Sequence, residues 1–171
     1  YDTMKDFERI TVLGGAAIAL VVHPSVPAKN VRELIALARS RPGQMNYASA
    51  GRGTGGHLCA ELFQSLAGVK LVPVNYKGAG DSTRAVMSGE VGMTFSATGA
   101  VLPMVQAGKL RMIGVSGNKR FALLPDVPTL SEQGLPGYDY RGWYGALTTG
   151  KTPKDVVGKL YAEMVKAIRS P

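Results

Sequence analysis

Between Ile18 and Val115, short β-prone runs alternate with stretches whose apolar residues recur at helical spacing, about five times in succession. No other feature constrains the fold as strongly. A helix with one apolar stripe must bury it, and repeated strand–helix pairs do so by packing their helices on a shared sheet. The pattern predicts an α/β lobe with a mostly parallel sheet.

The first run, Ile18 to Val22, ends at His23-Pro24. Asn30 stands where a helix cap belongs, with Glu33 three residues on as in a capping box. Val31, Leu34, Ile35 and Ala38 then share one helical face, and Pro42-Gly43 stops the pattern. Met45 to Ala48 reads as a strand. After the glycine-rich stretch from Ser49 to Gly56 comes a helix with a stripe of Leu58, Leu62 and Leu66 beside Cys59 and Phe63, closed by Gly68. Val69 to Tyr76 predicts a strand at an edge or a bulge, because Pro73 cannot donate to a ladder. Asp81 predicts the cap of a short helix ending at Gly89, and Val91 to Ser96 a further strand. Val101, Leu102 and Val105 mark a helix stopped by Gly108, and Leu110 to Val115 the next strand.

From Asn118 the texture changes. Leu124 to Pro128 is a loop. Thr129 and Glu132 form a T-x-x-E capping box for a short helix ending at Gly134. Tyr138 to Leu147 is aromatic-rich and strand-like. Thr152-Pro153 opens an amphipathic helix traced by Val156, Val157, Leu160, Met164 and Ile168.

Composition narrows the function classes. A chain of 171 residues with 45% hydrophobic content can build one domain, or one lobe of a larger protein. Its longest uncharged apolar run, Gly14 to Val22, falls well short of the about 20 residues that span a bilayer as a helix. A single Cys excludes an internal disulfide framework and a Cys-based zinc cluster, and two distant His residues argue against a His-rich metal site. The net charge of +8 attracts anions of any size. The basic residues are scattered from Lys5 to Arg169, with neither the clustered arm nor the interleaved aromatics of a nucleic-acid binder. Nucleic acid, metal and cofactor are therefore not expected. No secretory signal peptide is visible at Tyr1, and a helical pattern runs almost to Pro171, so a truncated chain is expected.

The chemistry concentrates at Ser49 to Gly56. A glycine-rich turn between a strand and a helix exposes backbone N–H groups where the helix dipole is positive, and the glycines let an anion come close. Ser49 and Thr54 can add hydroxyls, Gly51, Gly53 and Gly55 backbone donors, and His57 a ring nitrogen in the first helical turn. A plain tight turn is the simpler alternative. Gly51, Gly53 and Gly56 also spell G-x-G-x-x-G, which would suit a nucleotide-binding enzyme. The acid expected about 20 residues later is missing, because the next strand ends Asn75-Tyr76-Lys77. Tyr76 and Ser96 close two further strands on the edge where open α/β sheets bind ligands. Lys77 and Arg52 would make that edge electropositive. Cys59 lies on an apolar stripe and reads as a small buried hydrophobe, and Ser49 with His57 lacks the flanks of a nucleophile elbow.

Several motifs occur in one order: Asp6-Phe7, Pro27 to Leu34, Arg41-Pro42-Gly43-Gln44, Tyr47 to Thr54 with His57-Leu58 and Glu61-Leu62-Phe63, Tyr76-Lys77-Gly78, Gln106 to Arg111, and Leu124 to Thr129 through Glu132-Gln133-Gly134. The set resembles the substrate-binding proteins of tripartite tricarboxylate transporters, the Bug family. The resemblance implies a periplasmic-binding-protein-like (type II) fold of two α/β lobes closing on a small carboxylate, an organic acid or an amino acid. It implies periplasmic location, delivery to membrane permease subunits, and no enzymatic chemistry. Carried over by position, the ligand-binding residues would be Ser49, Gly51, Gly53, Thr54, Gly55, His57, Tyr76 and Ser96. Many relatives have Asp where this chain has Ser96. Residues 21–117 would be the ligand-binding lobe, and residues 1–20 and 118–171 partial segments of the other. Self-association through apolar surface left uncovered, or a non-binding interaction module, are the further expectations for such a chain.

Overall fold

The computed structural model describes residues 1–170. In chain order the elements are β1 (Phe7–Ala16), β2 (Ile18–Val22), α1 (Val31–Ser40), β3 (Met45–Ser49), α2 (Gly55–Ala67), β4 (Leu71–Asn75), α3 (Ala79–Met87), β5 (Met93–Ala97), α4 (Thr98–Gln106), β6 (Arg111–Val115), β7 (Gly142–Thr149) and α5 (Lys154–Arg169). The chain divides into two compact units. The larger is Ala17–Arg141, and the smaller joins Tyr1–Ala16 to the segment from Gly142 onward.

The larger unit is built on a five-stranded sheet of order β4-β3-β5-β2-β6. β3 is parallel to both β4 and β5, whereas β2 is antiparallel to β5 and β6. Four strands thus run one way and β2 runs against them, which makes the sheet mixed. The reversal has no sequence signature. All five residues of β2 are buried, and a continuous apolar run reads the same in either direction. Alternation sends Ile18, Leu20 and Val22 into one core with Leu34, Phe63 and Phe95, and Ala19 and Val21 into a second core with Ala85, Val86 and Val101. Helices α1 and α2 supply the first core, α3 and α4 the second.

Local chemistry explains most element ends. The Asn30 side chain accepts from the Glu33 amide at 2.9 Å, and the Glu33 carboxylate accepts from the Lys29 amide at 2.7 Å. The buried face of α1 is Val31, Leu34, Ile35 and Ala38, as the spacing predicts. Gly68 closes α2 in the left-handed region at φ 61°. β4 is an edge strand, where the missing amide of Pro73 breaks no ladder. Two expectations need correction. The buried stripe of α2 is Cys59, Ala60, Phe63 and Ala67, while Leu58 and Leu66 stay largely exposed. α3 starts at Ala79 with Gly78 as its cap, so Asp81 lies in the first turn, where it pairs with Arg84.

The division into units falls at 16/17 and 141/142, not at 20/21 and 117/118. Three ties hold residues 118–141 to the larger unit, two at β6 and one at α2. Thr129 bridges Val115, the Gln133 amide donates to the Ile113 carbonyl at 2.9 Å, and the buried Tyr138 hydroxyl donates to the Cys59 carbonyl at 2.9 Å. The Thr129–Glu132 box forms reciprocally, at 3.1 and 2.7 Å, but caps a series of turns and no helix.

In the smaller unit β1 and β7 pair antiparallel from Phe7↔Thr149 to Ala16↔Gly142, and α5 packs on β1. No residue of α5 is buried; Val157, Leu160 and Met164 of its expected stripe are partly covered, whereas Val156 and Ile168 are exposed. β1 is absent from the sequence reading, because Glu8, Arg9, Gly14 and Gly15 interrupt its alternation.

Candidate functional site

Because β3, β4 and β5 run in the same direction, their carboxyl ends share one edge of the sheet. α2, α3 and α4 start from those ends. Three helix N-termini therefore meet that edge, each worth about half a positive charge. Their capping is unlike that of α1. There the Val31 amide donates to Gln133 Oε1 at 3.2 Å and the Glu33 amide to Asn30. No side chain caps α2, α3 or α4.

The start of α2 shows why. Gly51 and Gly53 hold φ of 120° and 78°, a region that side chains disfavour. Their geometry folds the turn on itself: the Gly51 amide donates to Ser49 Oγ at 3.2 Å, and the Thr54 hydroxyl donates to the Gly51 carbonyl at 2.8 Å. Thr54 thus shapes the turn instead of capping the helix. The Gly53 amide points to His57 Nδ1 at a long 3.5 Å. Leu58 is the first amide of α2 with a backbone acceptor, Thr54 O at 3.0 Å. The preceding amides of Gly55, Gly56 and His57 have no acceptor among the described residues.

The third glycine of G-x-G-x-x-G has a different task. A Cβ on Gly56 would lie 2.3 Å from the Phe95 carbonyl oxygen, so α2 begins in direct contact with the end of β5. The Tyr140 hydroxyl stands over the same turn, 2.9 Å from where a Cβ on Gly55 would be. Tyr140 is absent from the sequence-derived site. Its signal was the aromatic stretch after Tyr138, which gives no hint of which ring reaches the turn.

The structure gathers Ser49, Gly51, Gly53, Thr54, Gly55 and His57 into this one turn. His57 Nε2 lies 3.9 Å from Glu61, whose carboxylate also accepts from Gln64 at 2.9 Å. Tyr76 is separately engaged: its hydroxyl donates to Glu90 at 2.9 Å, and burial followed by that carboxylate raises its pKa. Ser96 sits on β5 opposite Ala19 of β2, 4% exposed, and its hydroxyl has no hydrogen-bond partner. Cys59 is fully buried, and burial pushes its thiol up to about 12, although Tyr138 works the other way. A thiol so protonated is no nucleophile. Among the described residues no group of three or more His, Cys, Asp or Glu side chains could hold a metal ion. Arg52 and Lys77 are exposed at the turn and beyond β4. Such an edge can hold anionic oxygens through amides. It offers no base poised beside a nucleophile.

Comparison with known proteins places the whole chain among relatives. The sequence matches the tripartite tricarboxylate transporter family receptor along residues 1–171. It is 36% identical over 171 residues to a UPF0065 protein of Cupriavidus necator, covering all of this chain and 52% of that one. Among solved structures it is similar to Rpa4515 of R. palustris with adipate, at a TM-score of 0.96 and 33% identity, covering 99% of this chain and 57% of that one. MatC from Rhodopseudomonas palustris with bound malate gives a TM-score of 0.92 at 28% identity, covering 99% of this chain and 58% of that one. The chain spans about half the length of the curated relatives it matches. The family model matches along the whole chain, and the relatives and solved structures agree with it: the chain belongs to the tripartite tricarboxylate transporter receptor family.

Proposed function

We propose that this chain is the carboxylate-binding part of a periplasmic solute-binding protein, one that captures a small organic anion and hands it to the membrane permease subunits of a tripartite transporter. One observation carries the reading. The amides of Gly55, Gly56 and His57 open α2 without a protein acceptor, whereas the amides opening α1 are capped by Asn30 and Gln133. A carboxylate is the acceptor that fits. Its charge suits the helix dipole, and its two oxygens match neighbouring amides.

In this reading Ser49, Gly51, Gly53 and Thr54 hold the turn open, Gly55 and His57 donate, and Tyr76 and Ser96 line the neighbouring strand ends. The function is binding without chemistry: Ser49 Oγ is tied to Gly51, and the Cys59 thiol is buried and protonated. Similarity to proteins solved with adipate and with malate supports a carboxylate ligand. Among the described residues no helix is long and apolar enough to cross a membrane.

The strength follows from the donors. Hydrogen bonds to a charged group contribute about 1.5–3 kcal/mol each, so two or three of them, about 3–9 kcal/mol in all, exceed the cost of association only narrowly, and this chain alone binds at about 1 mM or more weakly. Calorimetric titration of the 171-residue chain with adipate, malate, citrate and benzoate tests this. Saturable binding of at least one, abolished when its carboxylates are amidated, is expected. No saturable heat with any of the four at about tenfold above that level would remove the reading.

A further inference from the structure

Both ring nitrogens of His57 have a partner at the amide cradle that opens α2. Nδ1 lies 3.5 Å from the Gly53 amide, and Nε2 lies 3.9 Å from the Glu61 carboxylate, one helical turn on. An amide can only donate, so Nδ1 accepts and the proton of the neutral ring sits on Nε2, toward Glu61. The Glu61 oxygen that faces the ring is itself fixed. It accepts from Gln64 Nε2 at 2.9 Å and from the Tyr47 hydroxyl at 3.4 Å. Both donors are neutral, so Glu61 keeps its charge. Tyr47 is buried on β3, and burial followed by Glu61 pushes its pKa up to about 12, so it remains a donor near neutral pH.

The other elements packed against α2 bring little charge to the ring. β2 and β5 carry no ionisable side chain. From α1, Arg39 donates to the Ala67 carbonyl at the far end of α2. From the segment after β6, Tyr138 donates to the Cys59 carbonyl, Tyr140 stands over Gly55, and Asp139 is paired with Arg141. Arg52, beside Gly53, is exposed.

Histidine is the side chain that ordinarily changes charge near neutral pH. Protonation of this ring changes what the turn offers. Nδ1 becomes a second donor facing the Gly53 amide. Two donors cannot bond each other, and an anionic oxygen satisfies both. The added positive charge lies at the cradle, and Glu61 steadies it at 3.9 Å.

We infer that Glu61 is a positioning residue of the cradle: it holds the His57 ring so that protonation of Nδ1 adds a donor beside the Gly53 amide, and the chain binds a carboxylate more tightly as the pH falls. The inference rests on the carboxylate-binding reading above.

Titration of the isotope-labelled chain with malate between about pH 8.5 and about pH 6, where carboxylates stay ionised, tests it. Affinity should rise about fivefold, the effect of one added charge at a partly exposed site, along the same curve as the His57 ring signals. By linkage, saturating malate should move that ring titration to higher pH. Without ligand, the Gly53 amide should titrate together with the ring. His57→Gln, which cannot gain the charge, should show no rise. Glu61→Gln should keep its helical circular dichroism and move the ring titration and the rise in affinity to lower pH together. A ring that titrates while the affinity of the unaltered chain does not rise, or a rise that persists in His57→Gln, would overturn the inference and leave the carboxylate cradle standing. So would a Glu61→Gln chain in which neither curve moves. No saturable binding of malate at any pH would overturn the cradle itself, and this inference with it.

Discussion

Replacing Gly56 by alanine is the sharpest structural perturbation the fold allows. The added Cβ would stand 2.3 Å from the Phe95 carbonyl oxygen and 3.4 Å from its carbon. Ordinary contact begins about 1 Å farther out, and the obstacle is strand backbone in the centre of the sheet, which cannot rotate away. The first turn of α2 must therefore lift by about 1 Å. Overpacking of this kind costs about 1–3 kcal/mol, which exceeds the about 1 kcal/mol that alanine gains over glycine in a helix, a gain that is smaller still at a helix end. For a unit this size, each kcal/mol lowers the Tm by about 2–5 °C. Thermal unfolding followed by circular dichroism should show a drop of a few degrees. Because misplacement by about 1 Å can cost about 100-fold where groups must be positioned, carboxylate binding should fall further than stability does. An unchanged Tm together with unchanged amide shifts from Gly55 to Leu58 would show that α2 is not seated on β5, and the geometry of the cradle would be wrong.

Other consequences are as direct. Cys59, fully buried with its thiol pushed up to about 12, should resist alkylation at pH 8 until the chain is unfolded; rapid labelling of the native chain would contradict the packing of α2. Glu132 is held below its ordinary 4.5, first by the Thr129 amide and then by Arg120. Its folded value is the lower one, so its contribution to stability is present above pH 4.5 and is lost as pH falls through the depressed value; Glu132→Gln should flatten that part of the pH–stability curve. Asn30→Ala, which removes the α1 cap, should cost about 1 kcal/mol in chemical denaturation without changing carboxylate binding. Gly53→Ala meets no atom within 4 Å but must hold φ near 78°, so about 1–2 kcal/mol of backbone strain is the whole of its expected cost.

Where periodicity and capping chemistry speak locally, the fold was legible in the sequence. Asn30 with Glu33, the glycine at 68 and the edge strand around Pro73 each carry their structural reason in adjacent residues. What escaped depends on distant partners. The reversal of β2 is decided by β5 and β6, which come more than seventy residues later. β1 is a strand because β7 pairs with it, although its own residues break alternation. Residues 118–141 belong with β6 and α2 through Gln133, Thr129 and Tyr138, whose partners lie at Ile113, Val115 and Cys59. The same division holds at the site. The turn from Ser49 to Gly56 could be read as an anion cradle from glycine content and position alone. That the Thr54 hydroxyl folds back on Gly51 depends on the glycine dihedrals of the turn, while the engagement of Tyr76 by Glu90 and the reach of Tyr140 to Gly55 are tertiary facts with no local trace.

The most direct test deletes one donor and leaves the helix in place. Gly55 is the first residue of α2, where proline is well tolerated, and Thr54 before it already holds the extended φ of −70° and ψ of 157° that proline requires. Gly55→Pro removes a single N–H from the cradle; the nearest atom to the added Cβ is the Tyr140 hydroxyl at 2.9 Å, the tip of a side chain and not backbone. With adipate as the probe, the substituted chain should retain its helical circular dichroism and bind at least tenfold more weakly, and the Gly56 and His57 amides should remain the ones that shift. Equal affinity, or shifts that never touch α2 in either chain, would contradict the claim that these amides hold the anion.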